Sequence, residues 1–194
     1  MTALTASPVA ARENRVLADR LGGTIVREIA LIAAGTIAMI VLARISVPLP
    51  FTPVPVSLGT LGALSVGATL GVRRGLVSVA AYALLGVAGA PVFTGTNVGW
   101  AFASFGYILG YLLVAAIAGL AAQRGADRRI VTMAPTALVS LFSVYILGLA
   151  WMIPFAHMTI EQGLMKGFVP FIIGDLVKAA VATGAFPVLR SIFR

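Results

Sequence analysis

The chain has 194 residues, of which 60% are hydrophobic and only 10% are charged, and its mean hydropathy is +1.04. A soluble domain carries about a quarter charged residues, so this composition excludes an ordinary soluble protein and predicts an integral membrane protein. The net charge of +8 does not indicate nucleic-acid binding, because the basic residues lie in short clusters between apolar runs. The absence of cysteine excludes disulfides, cysteine-bound metals and thiol catalysis.

A polar stretch at residues 1–24 precedes six apolar segments. The stretch lacks the apolar region of a signal peptide, and we predict that it forms a cytoplasmic segment ahead of a membrane domain at 25–194. A helix crosses the hydrocarbon core with about 20 residues, and shorter glycine-rich segments suit helices that are buried among others. We therefore predict an all-α integral membrane protein, a compact bundle of six transmembrane helices. The segments are 25–46, 56–72, 75–90, 99–122, 132–154 and 168–189.

The basic residues predict the orientation of this bundle. Eleven of the 14 Lys and Arg residues lie on the side that holds both termini, while Arg44 and Lys166 lie on the other side and Lys178 lies within the sixth segment. Cytoplasmic loops carry the excess of Lys and Arg. Both termini are therefore predicted to be cytoplasmic, in a multi-pass protein of the plasma membrane that contacts the lipid bilayer.

Small residues recur along one face of the first segment. Ala30, Ala34 and Ala38 follow one another at intervals of four, and such stripes let helices approach closely in lipid. Two interpretations are open: packing within the bundle, or docking of a separate membrane subunit.

The first external loop, ISVPLPFTPVPVSLGT, is rich in proline. Prolines remove backbone donors and hold the chain extended. The loop is either a stiff connector or a preformed lid in which Phe51 and Thr52 cover an external cavity. A rigid lid loses little entropy when a ligand binds. The prolines are Pro48, Pro50, Pro53 and Pro55.

Two further candidates lie in and after the second external loop. Asn97 can both donate and accept hydrogen bonds, and it is either a ligand contact or a turn residue between two glycines. Tyr107 and Tyr111 share a helix face at a spacing of four. Aromatic residues near a membrane boundary are commonly interfacial anchors, and Tyr107 is also a candidate ligand contact.

The last segment contains FIIGDLVKAA, in which Asp175 and Lys178 are three residues apart and share one helix face. A charge in the hydrocarbon core is costly and normally faces a cavity or a partner. Three roles are open: a salt bridge that packs the bundle, a binding site for complementary polar groups of a ligand, or a relay for protons or ions.

Sequence motifs for catalysis are absent. The chain has no phosphate-binding P-loop, no G-x-S-x-G and no H-E-x-x-H motif. With a single histidine, His157, and no cysteine, we expect no metal site. We predict that the protein is not an enzyme and requires no cofactor.

Four stretches resemble, in order and spacing, the BioY family of biotin-specific S components of energy-coupling-factor (ECF) transporters. They are PLPFTPVPVSLGTL, GVRRGLVSVAAYALLGVAGAPVF, FGYILGY and GDLVKA, and the resemblance covers about 30–180. The position at which that family often carries Gln after the proline loop is Gly59 here. The resemblance implies a subunit that binds biotin from outside and delivers it inward with a transmembrane coupling subunit and ATPase subunits.

The resemblance also implies roles for individual residues. Asp175 is expected to meet the ureido ring of biotin, and Lys178 the polar or carboxylate end. Asn97 matches a loop amide that contacts the ureido group, while Phe51 and Thr52 match the lid. The alanine stripe of the first segment resembles the docking surface for the coupling subunit. Two other functions remain open: a stand-alone ion- or proton-coupled carrier that uses Asp175 and Lys178, and a membrane scaffold or enzyme subunit without a solute.

Overall fold

The computed structural model describes residues 16, 18 and 24–192. The predicted polar segment 1–24 lies outside the described residues, apart from positions 16, 18 and 24. The described part is helical except for a ribbon of two short antiparallel strands. Its helices and strands are α1 (Ile25–Arg44), β1 (Ser46–Val47), β2 (Val56–Ser57), α2 (Gly59–Val87), α3 (Phe105–Gln123), α4 (Ile130–Phe155), α5 (Ile160–Gly167) and α6 (Ile172–Ile192).

Five helical runs are long and apolar enough to cross a membrane. Four of them are α1, α2, α3 and α4, and the fifth joins α5 to α6 through a short 3₁₀ turn at Val169–Phe171. The predicted all-α membrane protein is confirmed at this level. The runs are Ile25–Arg44, Gly59–Val87, Phe105–Gln123, Ile130–Phe155 and Ile160–Ile192.

The helix α2 turns back on itself at Gly71. Gly71 has φ 81° and ψ 176°, a conformation that favours glycine and breaks the helix between residues 59–70 and 72–87. A Cβ atom at Gly75 would lie 3.0 Å from the Cα atom of Gly67. In a straight helix two residues eight positions apart are separated by about 12 Å along the axis, so α2 is a hairpin of two packed arms.

The two arms of α2 correspond to the second and third predicted segments, 56–72 and 75–90. The glycines of both arms permit close packing. This agrees with the expectation that short, glycine-rich segments are buried among other helices. At Gly119 of α3 a Cβ atom would lie 2.8 Å from the backbone nitrogen of Val72, so α3 lies directly against the turn of α2. The middle of α3 is fully buried at Val114.

Several charged residues gather at one end of the bundle. Arg74, just after the α2 turn, donates two hydrogen bonds of 2.6 Å to Glu28 in the first turn of α1. A Cβ atom at that turn would lie 3.0 Å from Nε2 of Gln123, at the end of α3. Arg190 of α6 donates to Asp127, in the loop after α3, at 2.5 Å. The start of α1, the α2 turn, the end of α3 and the end of α6 therefore lie together.

The helix α1 packs against α2 with only one of its faces. The hydroxyl of Thr36 donates to the carbonyl of Ser78 at 3.2 Å on the buried face. Ala30 and Ala34 are exposed on the other side, and Ala38 is half-buried. Within the described part of the chain, Ala30 and Ala34 therefore do not pack inside the bundle, which was one of their two predicted roles.

Candidate functional site

A polar cavity lies at the end of the bundle opposite the charged cluster. It contains about 560 Å³ of empty space, part of which is open to solvent. Helices α2, α3, α4 and α6 form its walls, and the loops 46–58 and 88–104 cover it. Binding sites for small molecules commonly combine apolar walls with a few placed polar groups, as this cavity does. The polar lining residues are Ser57, Thr60, Tyr82, Thr94, Asn97, Ser104, Tyr107, Tyr111, Tyr145, Asp175 and Lys178.

Asp175 and Lys178 project from the first two turns of α6 into this cavity. The 3₁₀ turn at Val169–Phe171 leads into α6, so that Asp175 lies in its first turn, where the helix dipole favours a carboxylate. Lys178 donates to Oδ1 of Asp175 at 2.8 Å. The two side chains are 2% and 9% exposed. The predicted shared face is confirmed, and the salt bridge that was one alternative is present and lines a cavity.

Each charge in the pair has a second partner. The hydroxyl of Tyr145 on α4 donates to Oδ2 of Asp175. Lys178 also donates to Oγ1 of Thr60, on the first arm of α2, at 3.0 Å. A buried charge is tolerated only when it is paired and hydrogen-bonded, and these contacts provide both conditions. The pair thus connects three helices at the wall of the cavity.

Aromatic residues surround the charged pair. The ring of Tyr145 meets Phe168 edge to face, with centroids 4.8 Å apart, and lies 6.1 Å from the ring of Tyr107. The hydroxyl of Tyr107 donates to the carbonyl of Gly167 at 2.8 Å. These contacts hold the tyrosines in place, because each ring or hydroxyl has a defined neighbour. The predicted candidate Tyr107 also lines the cavity.

Close packing around Gly59 leaves no space for a side chain at this position. A Cβ atom at Gly59 would overlap the hydroxyl of Tyr111, which lies 3.4 Å from the hydroxyl of Ser57. A longer side chain at position 59 has no room there. Tyr111 and Ser57 provide the polar groups at this part of the wall.

The loops over the cavity are held to the helices by hydrogen bonds. Asn97 lines the cavity, as do Val54 and Pro55 of the proline loop. The predicted lid residues lie further out: Phe51 is 59% exposed, and the hydroxyl of Thr52 donates to the carbonyl of Lys166 at 2.6 Å. Neither Phe51 nor Thr52 is part of the cavity lining, so the proline loop contacts the cavity with its later residues.

Several polar residues at the site were not predicted as ligand contacts. Tyr145 and Thr60 contact the charged pair, and Tyr111 and Ser57 line the same cavity. A tyrosine in the middle of a long apolar segment was a signal for Tyr145, because a buried hydroxyl needs a partner. The partner itself could not be read from the sequence, since the two residues are 30 positions apart.

The fold identifies the class of protein. A 2.1 Å crystal structure of the S-component for biotin from an ECF-type ABC transporter matches with a TM-score of 0.74 and 27% sequence identity, covering 86% of this chain and 92% of that one. The chain therefore has the fold of an S-component.

The particular family follows from sequence comparison. The chain belongs to the BioY family, whose model matches residues 10–194. It is 34% identical over 159 residues to the probable biotin transporter BioY of Pyrococcus horikoshii, covering 80% of this chain and 91% of the relative. It is also 34% identical over 167 residues to the biotin transporter BioY of Rhizobium etli, covering 79% and 86%. These relatives are named as transporters, in agreement with the prediction that the chain is not an enzyme.

Proposed function

We propose that this chain is the biotin-binding membrane subunit of an ECF transporter. It takes biotin from the external side and delivers it inward together with an ATP-driven coupling module. The observation that carries the proposal is the buried pair of Asp175 and Lys178 facing a loop-covered cavity, in a chain of the BioY family. The names of the relatives and of the matched S-component support the choice of biotin.

The chemistry of the cavity suits the polar end of biotin. Its ureido ring has two N–H donors and one carbonyl acceptor, and the rest of the molecule is apolar up to a terminal carboxylate. Asp175 accepts an N–H group of the ring. Lys178 donates to the adjacent ureido carbonyl, because its Nζ atom lies only 2.8 Å from Asp175. That separation favours the ureido end for both residues over the carboxylate end for Lys178.

The other predicted site residues have supporting roles in this proposal. Asn97 contacts the ureido group from the covering loop, and Tyr107 packs against the apolar part of the ligand. Phe51 and Thr52 belong to the outer part of the lid, where the hydrogen bond from Thr52 to Lys166 holds the loop closed. Opening the lid therefore requires this hydrogen bond to break.

The arrangement of the helices supports six membrane crossings with both termini in the cytoplasm. The two arms of α2 count separately because the chain reverses at Gly71. Together with α1, α3, α4 and the α5–α6 run they give an even number of crossings. The charged cluster lies at the end that holds the start of α1 and the end of α6, and an excess of basic residues marks the cytoplasmic side. The polar stretch 1–24 then belongs to the cytoplasm and 25–194 to the membrane domain.

The exposed alanine stripe supports docking of a transmembrane coupling subunit. Ala30 and Ala34 present small side chains on a face of α1 that no described residue covers, and Ala38 continues the stripe. Small residues allow another helix to approach closely in lipid. The alternative of a stand-alone ion- or proton-coupled carrier is not favoured, since the matched S-component is part of an ABC transporter.

Mass spectrometry of the purified chain tests this proposal. The chain is expressed in cells supplied with biotin, purified in a mild detergent and extracted with acid. We expect the extract to contain biotin in near-stoichiometric amount, and an Asp175→Asn preparation to contain at least tenfold less. A folded wild-type chain that carries a different vitamin, or none, would overturn the proposal.

A further inference from the structure

We propose that Tyr145 is a positioning residue, whose hydroxyl fixes the orientation of the Asp175 carboxylate for the N–H donor of a cyclic urea. The inference rests on the proposed function, because it concerns how the same cavity selects its ligand. Tyr145 acts through Asp175, and its ring need not contact the ligand.

The two oxygens of Asp175 have different fixed donors. Lys178 donates to Oδ1 at 2.8 Å, and the hydroxyl of Tyr145 donates to Oδ2. The donors come from α6 and α4, so together they prevent the carboxylate from rotating about its Cβ–Cγ bond. A carboxylate oxygen can accept more than one hydrogen bond, so each oxygen keeps a free acceptor site for the ligand. Without Tyr145 the Lys178 contact would be the one fixed donor left among the described residues, and Oδ2 could turn away from the cavity.

Tyr145 is itself held rigidly. It is 6% exposed, and its ring meets Phe168 at an interplanar angle of 86° and Tyr107 at 89°. Tyr107 is in turn fixed by its hydrogen bond to the carbonyl of Gly167. A binding group that is held in place by packed neighbours loses little freedom when the ligand arrives, and such preorganisation increases affinity.

The test removes only the hydroxyl, with the Tyr145→Phe variant. Biotin affinity is measured by isothermal titration on the full chain in detergent, and thermal unfolding is followed on the same samples. A hydrogen bond from the ligand to the charged Asp175 contributes roughly tenfold or more in affinity, and loss of the fixed carboxylate orientation weakens that bond, so we expect a loss of roughly tenfold. An affinity within twofold of the wild type would overturn the inference.

A double-mutant cycle separates positioning from a general structural role. Combined with Asp175→Asn, the Tyr145→Phe change should have much less effect on biotin affinity than in the wild-type background. Tyr111→Phe is the matched change, because its hydroxyl is hydrogen-bonded to Ser57 and, among the described residues, not to Asp175, and it should weaken binding by a similar factor in both backgrounds. If Tyr145→Phe also gives the same factor in both backgrounds, Tyr145 does not act through Asp175.

A second measurement needs no Asp175 variant. Biotin analogues methylated on either ureido nitrogen are compared on the wild type and on Tyr145→Phe. The loss of affinity caused by Tyr145→Phe should be smaller for the analogue that lacks the N–H group accepted by Asp175. An equal loss for biotin and both analogues would contradict the inference. Failure of the wild type to bind biotin is a separate outcome, because it overturns the proposed function and not only the role of Tyr145.

Discussion

Replacing Asp175 with Asn tests the charged pair most severely. The change keeps the size of the side chain and removes its charge, so Lys178 loses the ion-pair partner that the structure gives it. Breaking a buried ion pair by removing one partner costs about 3–5 kcal/mol of stability. We therefore expect the variant to fold, but to unfold at a clearly lower temperature than the wild type.

The effect on binding can be estimated from the same contacts. Hydrogen bonds to a charged group contribute about 1.5–3 kcal/mol, which corresponds to roughly 10- to 150-fold in affinity. Asn retains one acceptor oxygen, so we expect biotin binding to weaken by about a hundredfold rather than to disappear. The assay is equilibrium binding of radiolabelled biotin to the purified chain.

A matched control is available at the other end of the bundle. Asp127 is fully buried and pairs with Arg190 at 2.5 Å, so Asp127→Asn breaks a similar ion pair away from the cavity. It should lower stability without changing biotin affinity in the folded protein. Unchanged affinity of Asp175→Asn, or an equal loss of affinity in both variants, would refute the assignment of the site.

Three further predictions concern the lysine, the α2 turn and the alanine stripe. Lys178→Met should weaken the binding of biotin and of biotin methyl ester by the same factor of at least ten, as measured by titration. A loss of affinity for free biotin alone would mean that Lys178 contacts the carboxylate of the ligand. Gly71→Ala should destabilise the fold by about 1–3 kcal/mol, because φ 81° with ψ 176° is a backbone conformation used almost only by glycine; an unchanged thermal midpoint would contradict the hairpin geometry. Ala34→Trp should preserve biotin binding and abolish biotin uptake by cells that contain the coupling module, whereas full uptake would exclude docking at this face.

The helical class and the location of the charged pair could be predicted from the sequence. The length of the apolar segments identifies the membrane helices. A spacing of three residues places Asp175 and Lys178 on one helix face, and this does not depend on the tertiary fold. Asn97 and Tyr107 were predicted as candidates, and both line the same cavity. The placement of the charged pair depends on local periodicity and on the cost of charge in lipid.

The partners of the pair could not be predicted, because they depend on packing between distant helices. Thr60 is 118 positions from Lys178, and nothing local in the sequence pairs them. The exact covering of the cavity was also missed: Thr52 contacts the carbonyl of Lys166 instead of the cavity, because α5 lies beside the loop. The short helix α5 had a readable signal in Thr159 and Gln162, which form a capping box at its start.

The predicted ends of the helices were less accurate than the prediction that the helices exist. The fourth predicted segment begins at residue 99, but α3 begins at Phe105. Gly99 has φ 75°, so the chain is still in a turn there, and hydropathy alone does not register a turn made of apolar residues. The break in α2 falls at Gly71, just inside the end of the second predicted segment, 56–72.

Titration of the purified wild-type chain with biotin, in the absence of any other subunit, tests the central claim most directly. If the loop-covered cavity around Asp175 and Lys178 is a biotin site, the chain alone binds one biotin per molecule, saturably, and the complex unfolds at a higher temperature than the free protein. A folded chain that shows neither saturable binding nor a thermal shift with biotin would contradict the account.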